Sequence, residues 1–555
     1  MILFVTFILA SIMSIIGYGN FFHRFFLDKK TLISNGLLGI FGLFFLSSIS
    51  YFTHLIYPHN FLHNSILFLL GIVFFFIFLV NKQIKINKSS YLILLLLLIA
   101  VFIAKSHDDF SYYHLPNTIH FTQNKLELGL GNLNHGFKHH SSIFYLYSVF
   151  YLPFIGIYLF NFLNFLFLYF TSIFFFDNIE NDLIKRKLNH NTLLKIIFLV
   201  LSISVFNRIG EYGTDITGQL LSLVLICFSL EAASKKEINY LDLSIILIIL
   251  VYLITIKTYF ILFSIFPFLL ILFLIDKLKI LKKIFISKLF IFFIVVGLLF
   301  IIINISATGC VIYPVSALCF PNFFSWGIEL STINYLSEWY EIWSKAGAGP
   351  DFREQNPNEY IKNFNWLANW IDRYFFTKVS DFLISVTVGY IIIYFIFRKN
   401  LKFKINFINK ELVILLALLF LSIVWFVKFP SLRYGGYGIL LATFSVLLIK
   451  LFKISNLNFT DIRKKFLILF SLSIFIFISK NIIRINKEFN YSAVDNFKSF
   501  PFYYVKKVEY DEITIDNEKI YKVKGMCWAT NSPCLRNVNK KIVFINNFRT
   551  YLNIK

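Results

Sequence analysis

The chain has 555 residues, of which 58% are hydrophobic, 20% aromatic and 15% charged. Soluble chains carry about 25% charged residues, and repeated apolar runs here approach the ~20 residues that cross a bilayer, so a soluble globular fold is excluded in favour of an all-α polytopic membrane protein. The net charge of +23 sits mainly in short connections between apolar runs, as topology signals facing anionic lipid do, and nucleic acid is excluded as a partner because no basic soluble module is there to bind it.

In chain order, the candidate crossings are 1–19, 31–52, 61–80, 90–104, 154–176, 191–206, 215–233, 238–256, 258–275, 286–304, 379–397, 411–428, 434–452 and 465–483, which predicts about 12–14 transmembrane helices. Residues 1–19 lack a basic leader and a small-residue cleavage site, so they read as a first helix and not as a removed signal. If the runs alternate, Lys82/Lys85/Lys88, Lys185/Arg186/Lys187, Lys235/Lys236, Lys277/Lys279/Lys282/Lys283, Arg398/Lys399/Lys402/Lys404 and Arg463/Lys464/Lys465 share one side, which the positive-inside rule makes cytoplasmic. The opposite side then receives outer loops at 105–153 and 305–378 and a C-terminal tail module, 484–555. Residues 1–80 read as an added N-terminal bundle ahead of a core at 81–483.

The first outer loop opens on His107-Asp108-Asp109-Phe110-Ser111-Tyr112-Tyr113-His114-Leu115-Pro116. Two adjacent carboxylates at the mouth of an apolar helix are costly unless they face water, a cation or a substrate. The bland alternative is a helix cap or an ion pair with Lys105. Ser141–Leu152 is aromatic and ends before Pro153, which predicts an interfacial or re-entrant helix. The turn Arg208-Ile209-Gly210-Glu211-Tyr212-Gly213-Thr214-Asp215 and the helix-end Lys257 add polar groups on the same side.

In the second outer loop, Trp366 and Trp370 share a helical face with Tyr374 and Phe375, as an interfacial aromatic belt or a platform for a sugar or lipid tail. Arg433 follows Pro430 and precedes paired glycines, and a guanidinium on such a turn suits bidentate phosphate recognition. In the tail, alternation across Glu512–Val523 around Asp516-Asn517 predicts a β-hairpin within a small α+β module. Four of the five cysteines form two short-range pairs on the predicted outer side, Cys310/Cys319 and Cys527/Cys534. Disulfides suit an oxidising exterior, and metal binding is the competing reading, although neither pair has Cys-x-x-Cys spacing.

The acidic pair with Tyr113-His114-Leu115-Pro116 behind it, the re-entrant segment, the many spans and the long aromatic loop together resemble the GT-C superfamily of polytopic glycosyltransferases over about residues 90–480. Those enzymes take sugars from polyprenyl phosphates, and an acidic residue of their first large outer loop is catalytic. The matching positions are Asp108 and Asp109, which the resemblance makes the base or the ligands of a divalent cation, Mg or Mn. Arg433, with Lys257 and Arg208, would hold the donor phosphate, while His114, Tyr113 and Glu211 would line the substrate. The family has this loop after its first helix, whereas three extra spans precede it here. The implied partners are a lipid-linked sugar donor, membrane lipids and an envelope glycan, lipid or protein acceptor, at the outer face of the bacterial inner membrane. A polysaccharide polymerase or O-antigen-ligase-like enzyme would place its arginines in the long loop instead. A flippase or ion-coupled transporter would need charges deep within spans, where only Glu231 and Asp242 stand out, both near helix ends.

Overall fold

Apolar run length, punctuated by polar caps, sets the architecture. The computed structural model describes residues 2–27, 32–84, 87–103, 106–210, 213–349, 356–404, 409–455, 458–490, 504–536, 540–545 and 547–553. The chain opens with α1 (Ile2–Phe26), α2 (Asn35–His54), α3 (Phe61–Val80) and α4 (Lys88–Leu97). Two short helices follow, α5 (Leu115–Gln123) and α6 (Ser142–Val149). The middle comprises α7 (Phe160–Ile184), α8 (His190–Val205), α9 (Asp215–Ser234), α10 (Tyr240–Ile256), α11 (Ile265–Leu272), α12 (Lys277–Phe285) and α13 (Lys288–Thr308). The long loop carries α14 (Leu330–Lys345), α15 (Pro357–Tyr360) and α16 (Leu367–Trp370), and continues through a wide helical turn, Ile371–Val379, into α17 (Ser380–Phe397). The helical part ends with α18 (Asn409–Lys428), α19 (Tyr437–Lys450) and α20 (Phe459–Phe489).

Side-chain caps mark where apolar runs begin. Ser34, Asn60, Asn189, Ser287 and Asn458 each accept a backbone N–H of the first turn of α2, α3, α8, α13 and α20, and Asn239 forms a reciprocal capping box with Asp242 at α10. Among the described residues, 10 helical stretches are long and apolar enough to cross a membrane, and four shorter apolar ones cover Lys88–Phe102, His190–Val205, Tyr240–Ile256 and Thr258–Leu272. Every run singled out in the sequence coincides with one of these, though the 379–397 run is part of a longer helical stretch, Leu367–Asn400, that shortens the preceding loop. This is an architecture suited to multi-pass membrane insertion.

Helix α1 packs on both α2 and α3, with Gly19 letting it approach the α2 backbone: a Cβ there would stand 1.8 Å from the Leu38 carbonyl oxygen. Through α2 they also pack on α6 and α7, and residues of the first 80 positions share one continuous apolar core with the rest. The Ser141–Leu152 segment is packed within the protein. Its helix α6 is buried along its whole length against α2 and α5, where Ser148 meets His59 Nδ1 at 2.6 Å and Tyr147 donates to the Gly213 carbonyl at 3.0 Å.

The connections carrying the basic clusters gather at one end of the bundle. Arg463 pairs with Glu180 at 2.8 Å, Lys465 donates to Asn400 at 2.8 Å, and Lys410 to the Lys236 carbonyl at 3.3 Å. Strands β1 (Leu401–Phe403) and β2 (Phe452–Ile454) pair antiparallel there. Near this end, Lys195 in α8 is buried and holds Asp182 at 3.2 Å as well as Glu231, a charge inside a span that the sequence pattern had masked as an apolar run.

The tail forms β3 (Tyr510–Ile515) and β4 (Glu518–Val523), an antiparallel hairpin with β5 (Cys534–Leu535) parallel to β4, and a second hairpin of β6 (Lys540–Ile545) and β7 (Phe548–Asn553). Cys310–Cys319 and Cys527–Cys534 are disulfides, and Cys227 is a buried free thiol in α9.

Candidate functional site

Away from the basic connections, four charged side chains from four separate segments meet. Arg433 bridges two carboxylates: its Nη2 reaches Asp109 Oδ2 at 3.2 Å and its Nε reaches Asp215 Oδ2 at 2.8 Å. Lys257 pairs with the other oxygen of Asp215. Asp215 stands in the first turn of α9, and Lys257 terminates α10. Arg433 and Asp109 are ringed by Trp343, Tyr113, Tyr434, His107 and His114, yet their side chains remain 35% and 33% exposed. Groups enclosed on most sides but still reached by water line a cleft.

Local backbone chemistry explains how each charge is presented. A wide helical turn over Phe110–His114, with Pro116 in the first turn of α5, directs Asp109 inward. The Asp109 backbone N–H donates to His107 Nδ1 at 3.1 Å, so that nitrogen is an acceptor and its 3.5 Å approach to the Asp109 carboxylate is not a hydrogen bond. Gly136 is needed opposite, because a Cβ there would lie 2.1 Å from the Tyr113 ring.

The Arg433 turn, Leu432–Gly436, departs from helical geometry at Tyr434 and takes a left-handed residue at Gly435 (φ +87°), a conformation suited to glycine. It is held from behind by aromatic donors. Trp370 donates to the Pro430 carbonyl at 2.9 Å and Trp425 to the Ser431 carbonyl at 2.8 Å, while the Leu432 N–H donates to the Tyr374 hydroxyl at 2.8 Å. Trp366 and Trp370 are buried against Phe426, so the predicted interfacial belt is instead the splint of this turn. Aromatics with one polar atom serve that role because they fill apolar space and satisfy a loop carbonyl at once.

Burial pushes the Asp109 carboxyl up, but the Arg433 guanidinium, with His107 and His114, outweighs it and holds the group below its ordinary value. Burial, with His107 alongside, pushes the His114 imidazole down to about 3 against the pull of Asp109 and Asp215, so it is neutral at pH 7. Tyr113 is kept a phenol by burial and by the carboxylates near it.

The predicted residues divide accordingly. Asp109, Arg433, Lys257, His114 and Tyr113 come together. Asp108 does not: it is exposed and makes no ion pair among the described residues, so the acidic pair splits into one inward and one outward carboxylate. Arg208 is exposed on the turn before α9 and acts electrostatically on Tyr437, outside the four-charge network. Glu211, like Lys105, lies outside the described residues. Asp215 was passed over in the sequence, yet an acidic residue opening an apolar span carries the same cost argument that picked out Asp108 and Asp109.

As cation ligands, Asp108 and Asp109 do not fit, because they do not converge. The two carboxylates that do converge, Asp109 and Asp215, are already bridged by Arg433. No group of three or more His, Cys, Asp or Glu side chains arranged for a metal occurs among the described residues, and no step is derived through a divalent cation.

The fold and site thus define a mostly helical protein, with many helices long and apolar enough to cross a membrane and a neutral-sum charged cleft away from its basic connections. Residues 1–441 match the model of a domain of unknown function, DUF8201, and the chain belongs to that family. The match includes all four charged residues of the cleft and stops within α19, ahead of the strand module. No curated protein and no solved structure matches the chain.

Proposed function

We propose that the protein is a GT-C-like membrane glycosyltransferase, moving a sugar from a polyprenyl-phosphate donor to a hydroxyl of an envelope glycan, lipid or protein at the outer face of the bacterial inner membrane. The observation that carries this reading is the Asp109–Arg433–Asp215–Lys257 network, which puts an accessible carboxylate beside a planar guanidinium in one cleft. Asp109, ionised at neutral pH, takes the acceptor hydroxyl's proton as the acceptor oxygen bonds to the anomeric carbon. The bond from that carbon to the phosphate oxygen breaks, and the leaving phosphate takes the electron pair. Arg433 offers two parallel N–H donors to that oxyanion and Lys257 a second positive charge. A single displacement inverts the anomeric centre. Asp215 positions both cations and touches no substrate.

Transfer from a polyprenyl-phosphate sugar in membranes tests it. Asp109→Asn is expected to lose about 10²–10⁴-fold in rate, the usual contribution of a general base, while Asp108→Asn stays near the parent. Arg433→Ala is expected to raise the donor KM far more than the acceptor KM. A fully active Asp109→Asn protein, expressed at the parent level, sinks the mechanism.

A further inference from the structure

One turn of α14 stands over the charged cleft. Trp343 lies under the Arg433 guanidinium (5.7 Å from ring to Cζ) and meets the Tyr434 ring at 6.0 Å. Trp339 stacks on Trp343 at 6.2 Å, with ring planes 20° apart. Between them in sequence, the Tyr340 hydroxyl joins two imidazoles, at 2.9 Å from His135 Nε2 and in a closer contact with His139 Nε2. The Tyr313 ring lies 5.6 Å from His139, and its hydroxyl is buried with no hydrogen-bond partner among the described residues. Trp339, Tyr340, Trp343, His135 and His139 are all half-buried and keep part of their surface open.

Hydroxyls and ring nitrogens that both give and accept hydrogen bonds, set beside flat apolar faces, suit a ring of alternating C–H and O–H groups. Both imidazoles are close enough to feel the Asp109 charge, so the cluster adjoins the proposed reaction centre. Burial pushes His135 to about 4 and His139 to about 3, with Lys138 lowering both and His135 and Lys257 also lowering the latter, so neither carries charge at pH 7.

We propose that Trp339, Tyr340, Trp343, His135 and His139 form a sugar subsite that takes a hexopyranose ring. It rests on the transferase reading for its role, but not for the binding it predicts. A site built to hydrogen-bond hydroxyls discriminates strongly once its polar groups would otherwise go unpaired.

The experiment is saturation-transfer NMR on the detergent-solubilised full chain. Methyl glucoside, methyl galactoside and methyl mannoside are tested in the parent and in Trp339→Ala, Tyr340→Phe and Asp109→Asn. At least one of these glycosides is expected to bind. Trp339→Ala should abolish the signal, the conservative Tyr340→Phe should weaken it, and Asp109→Asn should retain it. No binding of any glycoside, or parent-like binding in both α14 variants, overturns the proposal. Binding that depends on Trp339 alongside full transfer by Asp109→Asn would sink the catalytic mechanism and leave the subsite standing.

Discussion

Glu127 is where the strand module is anchored to the loop that carries Asp109. Its carboxylate is almost fully buried: Arg549 Nη1 lies at 3.1 Å, the Tyr551 hydroxyl donates at 2.7 Å, and His120 Nε2 is 3.2 Å away. Around it, the Leu128 N–H donates to the Arg549 carbonyl at 2.9 Å, the Tyr551 N–H returns to Leu128 at 3.0 Å, and the Trp528 N–H reaches the Ser111 carbonyl at 3.1 Å. Removing one partner of a buried ion pair costs about 3–5 kcal/mol, and the low end, about 3 kcal/mol, applies to Glu127→Ala because Arg549 keeps Glu518. That corresponds to roughly a hundredfold increase in the undocked population. Hydrogen exchange should therefore accelerate about a hundredfold at the Leu128 and Tyr551 amides, without change in α7 or α9. The pH dependence follows from the carboxyl itself. Burial raises it, but His120, Arg549 and Tyr551 together hold it below the ordinary glutamate value. A folded-state pKa below the unfolded one gives stabilisation that is complete above the unfolded value, about 4.3, and is lost as the pH falls through the folded value. The parent should undock only in acid, and Glu127→Gln should flatten that acid limb. Unchanged exchange in Glu127→Ala, or equal acceleration in α7 and α9, refutes the local anchor.

Tyr374→Phe leaves the Leu432 N–H without its acceptor, at a cost of about 1–3 kcal/mol, and should lower the thermal midpoint and raise the donor KM more than it lowers kcat. Lys195→Met strands Asp182 and Glu231 away from the cleft, so it should cost about 3–5 kcal/mol of stability while the donor KM of the surviving protein stays unchanged. Impermeant maleimide on intact cells should label Cys527 and Cys534 only after reduction, with Cys227 silent until denaturation. Labelling of the reduced pair that requires opened membranes would put the strand module, and the cleft docked to it, on the inner side.

The helices were legible because run length and capping are local quantities: Asn239 and Asp242 announce α10 within four residues. The Cys527/Cys534 pair and the Glu512–Val523 hairpin were legible for the same reason, their partners being close in sequence. The cleft was legible only in halves. Asp109 and Arg433 stood out singly, but their contact spans 324 residues, and no periodicity encodes which of two adjacent carboxylates a wide turn swings inward. Asp215 was hidden by its position, since a helix-opening aspartate has the ready alternative of serving the helix's own N–H groups. Trp370 and Tyr374 read as an interfacial belt or a ligand platform until the turn they splint is in place. The pairing that composition could not supply also constrains the chemistry. With two carboxylates and two cations, the cleft offers no spare positive charge, so a donor phosphate must share Arg433 with Asp109. Losing part of that guanidinium removes the influence that outweighs burial at Asp109, and the carboxyl's proton affinity rises as the donor seats. On the transferase reading, the base is strengthened by the arrival of the substrate it serves, and it stays weak in an empty cleft.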